Sequence, residues 1–436
     1  MAISVQSSSQ LLNHFPKSIG LGLRPAYIEL LEKLGNPQSN LPPVFHVAGT
    51  NGKGSTCAFL RSMLEAAGHR VHVYTSPHLV HVHERIRISG QLITEDYLIE
   101  LLGLCRDMSA MGDITQFEAL TAVGLKAFAD NHADFTILEV GLGGRLDATN
   151  VVDQPLASII TRLSYDHRQH LGDSLSAIAG EKAGIMRQGV ACFIAPQPDA
   201  EALDALTGIA RDKQTLLVIG GRDWRVVLQD QGFIYSDSQR SMVLPRPSLT
   251  GGHQLWNAGL AIAALSALPQ HLTTEQIAVG LQKVEWPARL QRINSGTLAE
   301  IMPTGWELWL DGGHNDSAGE ILAKQAETWC EQDITPKPLI VICGMLSTKV
   351  PAEFLSPLRN HVASLIAIAI PDEDLSFSAE QLAEAAHLSA MSNVSSAASL
   401  PDAIKASVRL HNHACRVLIC GSLYLAGEVL RQNGAK

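Results

Sequence analysis

Two hydrophobic periods alternate along much of the chain. Val44, Phe45 and Val47, then Val71-His72-Val73-Tyr74, Arg85-Ile86-Arg87-Ile88, Phe135 to Val140 and Ala157 to Thr161 are short apolar or alternating runs that predict strands. Between them the spacing lengthens to that of a helix face. Cys57, Leu60, Leu64 and Ala67 form one such face, closed by Gly68 as a C-cap, and Phe117 to Ala129 forms another with Thr115 near its N-cap. Tyr27, Leu30, Leu31 and Leu34 add an N-terminal packing helix, and Glu181 to Ile185 closes a further helical stretch. This alternation through residue 195 predicts a mostly parallel sheet. Trp224 to Leu228 and Phe233 to Tyr235 read as a small β excursion; His253 to Leu268 returns to helix until Pro269. Proline and small polar residues from Trp286 to Arg289 and at Asn294-Ser295-Gly296 mark a boundary. Beyond it Leu308 to Asp311, Leu339 to Gly344, Leu365 to Ile368 and Val417 to Gly421 predict a second, smaller α/β domain. The expected domains are 1–295 and 296–436, with no internal repeat.

Composition narrows the function. Of 436 residues 46% are hydrophobic and 17% charged, the balance of a compact protein with sizeable cores. A net charge of −10 leaves no electrostatic footprint for nucleic acid or an anionic membrane, so an anionic ligand needs local cations. No run approaches the ~18 apolar residues of a membrane span, and Met1-Ala2-Ile3-Ser4 opens no secretory signal. Seven cysteines without a C-x-x-C pair read as reduced thiols. These bounds predict a cytoplasmic enzyme acting on small molecules.

The candidate chemistry starts at Val47 to Thr56, where a glycine-rich stretch joins a strand to a helix. Thr50, Asn51, Gly52, Lys53, Gly54, Ser55 and Thr56 offer backbone N–H groups, a lysine and hydroxyls, the parts of a phosphate and Mg²⁺ site. Gly54 separates Lys53 from Ser55, off the usual pattern, so a structural glycine turn with a solvated lysine is the alternative. Glu139 ends an apolar strand, where a carboxylate needs a positive partner, and the C-terminal ends of parallel strands are where ligands gather. Gly141-Leu142-Gly143-Gly144 leads into a turn, Arg145 to Asn150, instead of a helix, which argues against a dinucleotide fingerprint. Five histidines from His69 to His83 have spacings that suit neither one helix face nor a metal finger.

Taken in order, these motifs resemble one family: the folylpolyglutamate and dihydrofolate synthases, within the Mur-ligase-like ATP-dependent amide ligases. Its carriers are Ala48 to Ser55, Thr75 to Leu79 with Glu84-Arg85-Ile86, Thr115 to Glu118, Leu138 to Asn150, Asp166-His167, Glu181 to Ile185, Asp311 to Asn315 and Gly344-Met345-Leu346. The resemblance implies a phosphate-loop ATPase domain followed by a Rossmann-like domain. It also implies that ATP activates a carboxylate as an acyl phosphate, which an amine then displaces. Thr50 to Lys53 would hold phosphates, Ser55 or Thr56 would support Mg²⁺, and Ser76 and Glu139 would be metal ligands, with His167 at a second metal position. Lys182 is similar to a lysine that relatives carry as a carbamate; a Glu181/Lys182 surface pair is the plain alternative. Asn257, Arg289, Asp311 and His314 match nucleotide and reaction-centre positions. Leu21, Gly22, Thr115, Gln116, Phe117, Glu118, Leu146, Asp147 and Ala148 match the dihydropteroate pocket.

Departures from the family pattern are Gly20 for aspartate, Ala288 for glycine, Gly313 for alanine, Asp316 for proline and Val350 for aspartate. The expectation is a monomeric bifunctional ligase acting on dihydropteroate, reduced folates, L-glutamate and ATP. Folylpolyglutamate synthesis alone is the nearest alternative, and a nucleotide-binding regulatory protein the remote one. A cell-wall Mur ligase is disfavoured because fewer than 50 residues precede the loop.

Overall fold

The computed structural model describes residues 7–17, 22–110 and 112–434. Two compact units divide the chain, one running to Ser248 and resuming over Gln254–Glu285, the other made of Leu249–His253 and the chain from Trp286 onward. The second unit's long stretch begins at Trp286, the first residue of the stretch that marks the boundary in the sequence.

The first unit is built on β1 (Val44–Ala48), β2 (Val71–Tyr74), β3 (Ile86–Ile88), β4 (Gln91–Leu92), β5 (Phe135–Glu139), β6 (Ala157–Ile160), β7 (Cys192–Ile194) and β8 (Leu217–Ile219), in the order β4-β3-β2-β5-β1-β6-β7-β8. All pairs from β2 to β8 along that order are parallel, and β3 and β4 fold back antiparallel at one edge. β1 is buried at all five positions, as a central parallel strand with both faces covered must be. Leu30, Leu31, Leu102, Leu120, Val123 and Phe128 pack with Tyr74 and Leu138 into one core, and Ile178, Leu206 and Ala210 pack with Ile160, Cys192 and Ile194 into another. The β excursion is a three-stranded antiparallel sheet of β9 (Trp224–Gln229), β10 (Gly232–Asp237) and β11 (Ser241–Pro245).

The second unit carries β12 (Gln291–Arg292), β13 (Glu307–Leu310), β14 (Leu339–Cys343), β15 (Val362–Ala367), β16 (Val394–Ser396) and β17 (Arg416–Cys420), ordered β12-β13-β17-β14-β15-β16. Only β12 is antiparallel to its neighbour. Both units thus present parallel strand ends as ligand edges. No helix among the described residues is long and apolar enough to cross a membrane.

Candidate active site

At the C-terminal edge of the first sheet, the order β2-β5-β1-β6 brings Ser76, Glu139, the glycine loop and Thr161 into one row. Glu139 is 4% exposed and accepts a hydrogen bond from the Ser76 N–H at 3.1 Å. Val47 pairs with Glu139 in register, so the carboxylate stands beside the root of the loop.

The loop is shaped by its surroundings. Gly49 has φ 145, and a Cβ there would lie 1.8 Å from Thr161 Oγ1. Gly52 has φ 91, and its Cβ would lie 2.4 Å from Asn257 Oδ1. Any side chain at either position is excluded twice, by dihedral and by contact. The N–H groups of Thr50 and Asn51 both donate to Arg162 O, at 3.1 and 3.2 Å, and Thr50 Oγ1 donates to Ser164 O at 3.1 Å. Lys53 opens the helix Lys53–Ala66 and turns back to donate to Gly49 O and Thr50 O at 3.2 and 3.3 Å. First-turn N–H groups of such a helix have no intrahelical acceptor, which suits phosphate oxygens. Gln254 Nε2 reaches Ser55 Oγ at 3.4 Å and its Oε1 accepts from Asn257 Nδ2 at 3.0 Å. Sequence reasoning missed Thr161, Arg162, Ser164 and Gln254. For Gln254 a signal existed, since it lies one helical turn before Asn257.

Lys182, at the end of the helix Leu175–Lys182, is 4% exposed and donates to Gly49 O at 2.8 Å. The surface-pair alternative therefore fails: Glu181 pairs with Arg145 at 2.8 Å while Lys182 turns inward. Burial, reinforced by the Lys53 charge, pulls the Lys182 ammonium down to about 7. His167 sits at φ 50 at the head of the short helix Arg168–Leu171, its side chain 43% exposed and Nε2 3.8 Å from Asp166 Oδ2. The donors on the Ser76 to Thr161 row are hydroxyls and a carboxylate, the oxygen set that Mg²⁺ prefers. Thr56 Oγ1 and Thr161 Oγ1 are buried there without a protein partner, so the edge has spare acceptors.

The expected pterin residues form a second cluster. Thr115 caps the helix Gln116–Asp130 in a reciprocal capping box: Thr115 Oγ1 accepts from Glu118 N, and Glu118 Oε2 accepts from Thr115 N at 2.8 Å. Arg24 forms a two-point ion pair with the buried Glu118. Gln116 Nε2 donates to Leu12 O, and Tyr27 OH donates to Ala148 O at 3.0 Å, so this cluster also ties down the N-terminal segment. Phe117 lies against the glycine turn, where a Cβ at Gly141 would be 2.4 Å from its ring. Asp147 is 4% exposed and fully engaged: Oδ2 accepts from the N–H groups of Gly141 and Leu142 at 3.0 and 2.9 Å, and Oδ1 from Thr149 N and Oγ1 at 2.9 and 2.6 Å. Burial pushes its carboxyl up, against those hydrogen bonds. The buried His46, held down to about 3 by desolvation, completes the chain through Thr149 Oγ1 at 2.9 Å. Leu146 is half-buried on the same turn, and Gly22 has open space at its Cβ position. Leu21 and Gly20 lie outside the described residues.

In the second unit Asp311 follows β13, buried, and accepts from Leu290 N at 2.8 Å and Gly313 N at 2.7 Å. Burial raises its carboxyl and the Arg289 charge opposes that rise. Arg289 is set between two residues with left-handed backbone, Ala288 at φ 57 and Leu290 at φ 44. Ala288 thus occupies a conformation that favours the glycine expected there. His314 Nδ1 lies 3.1 Å from Gly312 O. Asp316 opens the helix Asp316–Gln332 at a position that tolerates proline equally, which accounts for that departure.

Residues 47–265 match the family described as Mur ligase middle domain, and with the braced glycine loop at a parallel-sheet edge this defines an ATP-dependent amide ligase of the Mur-ligase class. Residues 294–432 match Dihydrofolate synthetase, C-terminal domain. The chain is 34% identical over 425 residues to the dihydrofolate synthase/folylpolyglutamate synthase of Bacillus subtilis, covering 93% of each chain, and 33% identical to that of Escherichia coli, covering 98% and 96%. Among solved structures it resembles Escherichia coli FolC in complex with DHPP and ADP, with a TM-score of 0.83, 32% identity and 97% and 96% of the two chains covered. It also resembles the Yersinia pestis bifunctional enzyme complexed with AMPPNP and Mn ion, with a TM-score of 0.84, 30% identity and 98% of each chain covered. The chain belongs to the dihydrofolate synthase/folylpolyglutamate synthase family.

Proposed function

We propose that this ligase joins L-glutamate to dihydropteroate, forming dihydrofolate, and adds further glutamates to reduced folates. In each cycle the substrate carboxylate attacks the γ-phosphorus of ATP and ADP leaves. The glutamate amine then attacks the acyl carbon and phosphate leaves. The observation that carries this reading is the row of Ser76, Glu139 and the braced loop at one sheet edge, with Lys182 buried beneath Gly49.

Thr50, Asn51, Gly52 and Lys53 are assigned to the phosphates, with the Lys53 ammonium exchanging its carbonyl acceptors for phosphate oxygens. Ser55, Thr56, Ser76 and Glu139 would hold Mg²⁺, which supplies charge neutralisation at the transferring phosphoryl group. His167 is assigned to a second metal position; as a nitrogen donor it is the least suited of the set to a hard cation. Lys182 is proposed to carry a carbamate. Its depressed basicity leaves a neutral amine fraction at physiological pH, and only a neutral amine attacks the carbon of CO₂, forming an N–C bond and releasing a proton. The product is an oxygen anion where a cation would repel metal. Arg289, Asp311, His314 and Asn257 are assigned to the nucleotide and the reacting carboxylate, and Leu21, Gly22, Thr115, Gln116, Phe117, Glu118, Leu146, Asp147 and Ala148 to the pterin pocket.

Polyglutamylation alone is the second reading; in either, Asp147 serves the pterin pocket by holding the turn that shapes it, because its acceptor positions are taken by Gly141, Leu142 and Thr149. The purified protein, given Mg²⁺-ATP and L-glutamate, is expected to release phosphate with dihydropteroate and with tetrahydrofolate. Release with tetrahydrofolate only would establish the second reading, and release with neither would remove both.

A further inference from the structure

The stretch His411-Asn412-His413-Ala414-Cys415 links the helix Leu400–Leu410 to β17 in the second unit. One ligand atom from each of His411, His413 and Cys415 lies within 4.8 Å of the others, and no other such group of three occurs among the described residues. Alternate positions carry the three side chains, and the bend at Asn412 and His413 gathers them ahead of β17. They grade inward from solvent: His413 is exposed, His411 half-buried and Cys415 buried. Each ring has one nitrogen already held, His411 Nε2 at 3.2 Å from Ser364 Oγ and His413 Nδ1 at 3.1 Å from Asn412 Oδ1. Such a partner fixes the ring plane and leaves the second nitrogen for a cation. The Cys415 thiol meanwhile donates to His413 O at 3.3 Å, within the same turn.

We propose that His411, His413 and Cys415 form a zinc site, with water as the fourth ligand. Two imidazoles and a thiolate suit zinc and do not suit Mg²⁺, which separates this site chemically from the oxygen-lined edge of the first unit. On binding, the Cys415 thiol releases its proton to solvent and a Zn–S bond replaces the bond to His413 O. Tetrahedral bonds of ~2.0–2.3 Å bring ligand atoms to roughly 3.5 Å of one another, so ligand atoms that already lie within 4.8 Å draw in by about 1.3 Å at most. The exposed His413 side chain has the freedom to do this. The site lies at the N-terminal end of β17, whereas Asp311 follows the C-terminal end of β13, its parallel neighbour, one strand length of ~17 Å away. Zinc here would tie the helix end, the start of β17 and, through Ser364, strand β15 together without touching the reaction.

The test uses untagged full-length protein, stripped with chelator and titrated with Zn²⁺ and, separately, Co²⁺. The expected result is one zinc bound per chain, a thiolate-to-cobalt charge-transfer band, and a raised melting temperature in zinc. Loss of the band in Cys415→Ser distinguishes this site from any metal on the Ser76 and Glu139 edge, where the buried Cys57 is the neighbouring thiol. Cys415→Ser should abolish the band, and His413→Ala, at an exposed position that does not threaten folding, should weaken zinc binding at least tenfold. Cys330→Ser, which removes the exposed cysteine, should change neither. A band that survives Cys415→Ser, vanishes with Cys330→Ser, or is absent from the wild type overturns the proposal, as does unchanged zinc affinity in His413→Ala.

Discussion

Lys182 sets a stability cost against a chemical capability. Its amine is fully desolvated and titrates near 7 in the folded chain against 10.5 for an exposed lysine. Between those values the unfolded chain binds more protons than the native one, so stability rises with pH across that window and the cost is greatest below 7. Replacing a buried charge by an apolar side chain of similar length is often stabilising by ~1–4 kcal/mol. In CO₂-free buffer Lys182→Met should therefore melt higher than wild type at pH 6.5, with the gap closing toward pH 10, while ligase turnover is lost. Calorimetry across that range checks it, and a gap that widens with pH would be incompatible with a buried amine. Ala288 poses a smaller problem of the same kind. A left-handed alanine costs ~1–2 kcal/mol and glycine forfeits roughly 0.5–1 kcal/mol in chain entropy. Ala288→Gly should raise the urea midpoint of the second unit by the equivalent of about 0.5–1 kcal/mol; a fall in the midpoint would show that the alanine is relaxed.

Among the elements, the turn after β5 depends on one carboxylate. Asp147→Asn replaces an acceptor by a donor facing N–H or O–H groups, and an unmatched buried polar group costs ~1–3 kcal/mol. The variant should lose stability by that amount and raise KM for the pteridine substrate more than KM for ATP, because the turn carries Phe117's neighbour Gly141. Steady-state kinetics with both substrates varied separates the two effects. In the second unit Arg416 donates to Glu307 at 2.7 Å and to Asp333 at 3.2 Å, with its guanidinium 4.5 Å from the Trp329 ring centre. Arg416→Ala takes the guanidinium from Asp333 and one of three side-chain donors from Glu307, which keeps Lys337 and Trp309, and should destabilise that unit by ~1.5–3 kcal/mol, read from denaturant unfolding.

These elements also mark how far the sequence could be read. Strands β1, β5, β6, β14 and β17 were legible because central parallel strands are continuous apolar runs. β4, β12 and β16 are two or three residues at sheet edges, and β8 is a three-residue strand at the opposite edge of the first sheet, all too short to carry a period. The positions of Lys53 and Glu139 followed from motif order. That Asp147 spends its lone pairs on its own backbone did not, since a carboxylate beside glycines serves a ligand or a turn with the same residue types. Nor could spacing reveal Thr161 opposite Gly49, an approach made only when β1 and β6 pair.

At the scale of the molecule the two units answer pH differently. Glu307 is pushed up by burial, but its hydrogen bonds from Arg416, Lys337 and Trp309 outweigh that and hold it at about 2. Its contribution to the second unit is complete above the unfolded value of about 4.5 and is lost as pH falls toward about 2. Acid titration followed by calorimetry should thus weaken the second unit's transition through this carboxylate, while alkaline titration from 7 to 10 should strengthen the first unit's through Lys182. The glycine loop has a consequence for protein engineering. Its shape is enforced by Thr161, Arg162, Ser164, Lys182 and Asn257, contributed from distant parts of the chain. In gene shuffling between homologues, a crossover placed between Lys53 and Asn257 separates the loop from some of its enforcers, so active chimaeras should be confined to parents that agree at those positions, and junctions outside that span should be recovered more often.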